Sequence, residues 1–165
     1  MTVLTDGIRH VEKGGGPAYW EMGEGLVTCK ATSEETEGRY ALFEVWDAPF
    51  SGPPMHVHRN EDEAYYILEG AYEIHYPDAP PIHAAPGAYV YVARGTVHTY
   101  RCAGPDRGRM LVMSTPAGLE RFFAELGEPA LDREHPPAPS GPPDFDRVMA
   151  IARKYGIDVV GPPPR

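Results

Sequence analysis

The 165-residue chain is 42% hydrophobic and 24% charged, the composition of one soluble domain with a single core and appended segments. No window approaches the roughly 18 apolar residues of a membrane span. A net charge of −9, without clustered Lys or Arg, argues against nucleic acid and anionic membrane as partners.

The opening MTVLTDGIRHVEKGGG has no apolar h-region, which argues against a secretory signal and makes the cytoplasm the expected location. We take residues 1–17 as an N-terminal arm. From Ala18 to about residue 115, short runs rich in Val, Ile, Tyr, Phe and Trp recur between Gly, Pro or Asp: AYWEM, LVTCKA, YALFEVWD, AYYILEG, YEIHY, AYVYVA, VHTYRC and MLVMS. In AYVYVA, Val90 and Val92 share one face and Tyr89 and Tyr91 the other. The pattern predicts an all-β sandwich or barrel over 18–115 and excludes a doubly wound α/β fold. Cys29 and Cys102 read as free thiols, with a bridge between them left open.

After Pro116 the period changes. AGLERFFAELG places Leu119, Phe122, Phe123 and Leu126 at helical spacing before Gly127, a short amphipathic helix within 116–127. A Pro-rich linker follows over 128–143. The segment 144–165 begins with a second helix, capped by Asp144 or Asp146, with Val148, Ile151 and Ala152 on one face and Gly156 at its end. The tail VVGPPPR is expected to be extended and loosely held.

The chemistry concentrates in GPPMHVHRNEDEAYYILEG, residues 52 to 70. On a strand, His56 and His58 project to the same face and can share one ion. A short loop can turn Glu63 back toward them. Of the other histidines, His98 is best placed to join, just past the turn at Gly95. Imidazoles with one carboxylate suit Fe, Mn, Co, Ni, Cu or Zn rather than Ca or Mg. Glu61 and Asp62 read as solvated or as partners of the ligands, Glu69 as exposed. His10, His75, His83 and His135 have no partner pattern.

These residues resemble the cupin superfamily. Its first motif, HxH, four residues, Glu, six residues, Gly, is met by His56, His58, Glu63 and Gly70. Its second is met by Gly87, Gly95 and His98. Three positions depart: Gly52 lies closer to His56 than usual, Ala93 stands where proline is usual, and Cys102 stands where Asn is frequent. The resemblance implies an antiparallel jelly-roll β-barrel, with the one or two short C-terminal helices read above, and one divalent transition metal held by His56, His58, Glu63 and His98.

Period-two phasing adds Tyr65, Ile67 and Tyr100 to the interior, which is expected to be largely apolar and to suit a small aromatic substrate. The stretch also looks similar to quercetinase-like dioxygenases. That likeness implies an oxidoreductase using dioxygen, with Glu63 as ligand and base. Open beside it are a non-redox cyclase, isomerase or dehydratase, with Glu63, Tyr65 or Tyr100 as proton donors, and a non-catalytic small-molecule binder. The Tyr89/Tyr91 face awaits cover by the helices or by a second subunit. A homodimer is the expectation that the resemblance implies.

Overall fold

The computed structural model describes residues 2–5, 7–21, 25–138, 141 and 144–164. Met22 of the first strand run, and Pro139, Ser140, Pro142 and Pro143 of the Pro-rich tract, lie outside the described residues, as do positions 1, 6 and 165 of the arm and tail. Among the described residues fourteen strands and three helices follow in chain order: β1 (Thr2–Thr5), β2 (Ile8–Val11), β3 (Ala18–Trp20), β4 (Leu26–Ala31), α1 (Ser33–Thr36), β5 (Ala41–Asp47), β6 (His56–His58), β7 (Asp62–Glu69) and β8 (Tyr72–His75). Then come β9 (Ile82–Ala84), β10 (Tyr89–Val92), β11 (Thr99–Cys102), β12 (Gly108–Thr115), α2 (Leu119–Leu126), β13 (Glu128–Pro129), α3 (Phe145–Lys154) and β14 (Ile157–Val159). None of the described helices is long and apolar enough to cross a membrane.

The strands form an antiparallel jelly-roll barrel. One sheet runs β10-β7-β12-β5-β4-β3-β13, and opposite it stands β11-β8-β9. Strand β6 joins the second sheet through a bridge between His56 and His98, with reciprocal backbone hydrogen bonds of 2.9 and 3.0 Å. Alternation explains the core: along β5, Ala41, Phe43, Val45 and Asp47 are buried while the residues between them are half-buried. Phe43, Tyr65, Ile67, Met110 and Val112 of the large sheet pack in one cluster with Tyr72, Ile74, Tyr100 and Cys102 of the small one. Each large side chain removed from water there contributes about 1.5–3 kcal/mol. Cys29 and Cys102 are both free and buried.

The two helices after the barrel are amphipathic and pack on it and on each other. The Phe123 ring of α2 meets Phe43 edge-on at 5.1 Å. Asp144 caps α3, its carboxylate accepting from Arg147 N at 3.0 Å. Glu125 of α2 holds the far end of α3 by accepting from Lys154 Nζ and Tyr155 Oη, each at 2.6 Å.

The tail is not loosely held. Residues 157–159 form β14, which pairs antiparallel with β6 so that Ile157 stands opposite His58 and Val159 opposite His56. Ile157 and Ala152 are part of the core cluster. The pairing satisfies the edge of β6 that the barrel leaves open; of the expected tail Val159 lies in this strand, and Val160 N and Gly161 N donate to Met55 O at 2.8 and 3.2 Å just beyond it.

Candidate metal centre

His56 and His58 lie two apart on β6 and so share its inward face, as the pleat requires. His98 is brought opposite His56 by the bridge, and the turn at Gly95 closes against the same strand, Gly95 N donating to His58 O at 2.7 Å. Glu63 is the second residue of β7, paired with Val92 of β10. The close approach that this needs is visible at Gly52, where an added Cβ would sit 2.0 Å from the carbonyl oxygen of Tyr100. One ligand atom from each of His56, His58, Glu63 and His98 lies within 4.8 Å of all the others, and the four side chains are buried.

The hydrogen bonds decide which nitrogen faces the centre. His56 Nδ1 lies 2.8 Å from Pro54 O and His98 Nδ1 2.9 Å from Thr96 O. A carbonyl only accepts, so both rings carry their proton on Nδ1. A neutral His98 therefore aims the lone pair of Nε2 at Glu63 Oε2, 3.0 Å away. His58 Nε2 stands 3.2 Å from the same oxygen. Lone pairs converging on a buried carboxylate demand a cation among them, a proton or a metal, and imidazole nitrogens with one carboxylate oxygen suit a transition ion. The four residues fit such an ion.

The local charges agree. Burial lowers His56 to about 4, the neighbouring His58 and His98 adding to the shift against Glu63, so this ring is neutral at pH 7 and has a lone pair to offer an ion. Burial works to lower His58, but the Glu63 and Glu61 carboxylates outweigh it and the net shift is upward. Burial works to raise Glu63, yet His58, His98 and His56 hold it at about 2.

Tyr65 reaches the cluster: its hydroxyl donates to Glu63 Oε2 at 2.9 Å and lies 3.0 Å from His98 Nε2. Burial and the Glu63 charge push it well above the usual phenol range, so it stays protonated. Tyr100 is brought beside Tyr65 as a ring, 5.7 Å edge-on, but its hydroxyl turns away to Asp47 Oδ1 at 3.5 Å. Asp47 also accepts from Tyr72 Oη at 2.9 Å. The interior is thus not simply apolar, because a buried carboxyl and two phenols form a polar seam behind the ligands. The inward phase of Ala41, Phe43 and Val45 pointed to Asp47, a signal that attention to histidines passed over. Glu61 is buried against His58 rather than solvated, and Asp62 instead pairs with Arg94 through Nε and Nη2, each at 3.0 Å.

Residues 44–114 match the family model described as "Cupin domain". Over these residues the chain is similar to a cupin domain. The chain is 26% identical over 163 residues to quercetin 2,3-dioxygenase of Bacillus subtilis (strain 168), an alignment covering 98% of the chain and 48% of the relative. The chain thus spans about half the length of that curated relative. Among solved structures, its fold is similar to the polyketide cyclase RemF from Streptomyces resistomycificus, with TM-score 0.58 and 23% identity over 66% of this chain and 79% of that one. It is also similar to KdgF from Halomonas sp., with TM-score 0.52 and 16% identity over 59% and 83%.

Proposed function

We propose that this cupin is a metal-dependent enzyme acting on a small, largely apolar or aromatic organic molecule, and that its reaction is a quercetinase-like dioxygenation. The observation that carries this reading is a likeness to quercetin 2,3-dioxygenase along 98% of the chain, combined with four potential ligands that meet at one buried point. A divalent transition ion held there would supply Lewis acidity and, if redox-active, a means of engaging dioxygen. His56, His58 and His98 would hold it through Nε2. Glu63, ionised throughout the neutral range, serves as ligand and proton acceptor toward a substrate hydroxyl, and the protonated Tyr65 beside it donates a hydrogen bond to the oxyanion that forms. Burial of the cluster excludes competing water. Cytoplasmic location and a homodimer through the exposed Tyr89/Tyr91 face belong to the same reading.

The Tyr65 hydroxyl at the ligand cluster also supports a second reading, non-redox proton transfer in a cyclisation or isomerisation. One experiment separates them. Protein loaded in turn with Fe, Mn, Co, Ni, Cu and Zn is given flavonols and other enediol-like compounds in an oxygen electrode. Oxygen uptake is expected with at least one redox-active metal. No uptake with any metal rejects the dioxygenase, and turnover with Zn under strict anaerobiosis selects the second reading.

A further inference from the structure

His58 differs from its two neighbours in what holds its outer nitrogen. His56 and His98 each fix Nδ1 on a backbone carbonyl two residues earlier. The Nδ1 of His58 is buried with no hydrogen-bond partner among the described residues, and so is one carboxylate oxygen, Oε2 of Glu61. These two atoms face each other at 3.6 Å, from side chains that are 5% and 7% exposed. A buried donor and a buried acceptor left unmatched are both costly, and closing the gap by a few tenths of an ångström joins them in a charge-assisted bond.

The loop leaves Glu61 little else to do. Arg59 N donates to Gly156 O at 2.9 Å and Asn60 Nδ2 to Tyr155 O at 3.2 Å, so the end of α3 fixes the turn that carries Glu61. On the other side the Gly118 backbone closes in, an added Cβ there lying 3.8 Å from Glu61 Oε1. Of the three consecutive acids, Asp62 is engaged by Arg94 and Glu63 points into the ligand cluster.

We propose that Glu61 is a positioning residue for the metal centre, its carboxylate fixing His58 as the Nδ1–H tautomer with Nε2 turned to the ion. The inference rests on the reading of His56, His58, Glu63 and His98 as ligands. A carboxylate in place of a carbonyl is the kind of outer partner that orients a metal-ligating imidazole and raises its affinity for the ion.

The test titrates Co(II) against a chromophoric chelator in the wild type, Glu61→Gln and Glu61→Ala. Nitrogen-15 shifts of His58 are read in metal-free protein. Glu61→Ala is expected to bind Co(II) roughly 10–100-fold more weakly, with altered visible bands. Glu61→Gln keeps an acceptor without the charge and is expected to recover part of the loss. His58 in the metal-free wild type is expected to carry its proton on Nδ1 and to become a tautomer mixture in the variants. Both variants binding within threefold of wild type with unchanged bands, or an Nε2–H tautomer in the wild type, overturns the proposal. Should Glu61→Ala fail to fold, the near-isosteric Glu61→Gln carries the comparison. A wild type that takes up no Co(II) sinks the metal-centre reading itself, and the tautomer measurement then decides the Glu61 contact separately.

Discussion

Asp47 shows what one inward-facing carboxyl does to a barrel. Burial pushes it up to about 7, against the hydrogen bonds from Tyr72 and Tyr100 and the charge of Arg107, all of which favour the ionised form. In the unfolded chain the group has its ordinary value near 3.8. Between these values the native state holds a proton that the unfolded state has released, so stability falls as pH rises. The contribution is complete below about pH 3.8 and lost by about pH 7, a difference of up to about 4 kcal/mol. We therefore expect Asp47→Asn to be less stable than wild type at pH 4.5 and to close or reverse that gap at pH 7.5, as read from denaturant midpoints. A gap that does not change with pH would refute the assignment. At this scale the sequence was informative where spacing carries the chemistry: His56, His58 and Glu63 are local, and period-two phasing follows from the pleat. It left Glu61 open between solvent and the ligands, and was silent on the Tyr100 hydroxyl, whose partner Asp47 lies 53 residues away.

Strand β14, like β1, β2, β9 and β13, is an element that local patterning missed. The run GIDVV is β-branched and strand-like, but it is short and lies between a helix stop and a Pro tract, and its partner is remote: the Arg59–Asp158 ion pair that flanks the contact spans 99 residues. Ile157 is buried at 5% exposure in the core cluster, directly opposite His58. Truncating it leaves a cavity behind the ligand strand, so Ile157→Ala is expected to cost about 2–4 kcal/mol in urea unfolding and to weaken metal binding along with it. Stability within about 0.5 kcal/mol of wild type would mean that β14 adds nothing to the barrel. Helices α2 and α3 were legible because an amphipathic stripe of 3.6 period between a cap and a glycine is a local signal. The four-residue α1 has no such stripe to announce it.

On the scale of the whole molecule, the outer face of the large sheet remains uncovered. Tyr89, Tyr91 and Tyr66 are 62%, 56% and 45% exposed, and Met113 lies beside them. Tyr89 stands opposite Tyr66 across β10 and β7, and Met113 opposite Ala64 across β12 and β7. Among the described residues the helices leave this face open, and it is the face that the proposed homodimer uses. For the proposed homodimer, sedimentation velocity is expected to show a dimer for the wild type and a monomer for Tyr89→Glu/Tyr91→Glu. A wild-type monomer would reject it. The sequence by itself determined the β class, the inward faces of its strands, the two amphipathic helices and the spacing of the ligand motif, all consequences of periods of two or 3.6 and of residues near one another in the chain. Only the tertiary structure decided that His98 bridges to His56, that Asp47 lies buried beneath two tyrosines and that residues 157–159 complete the ligand strand. Those outcomes are pairings between distant segments, chosen by which backbone edge or buried polar atom still lacked a partner.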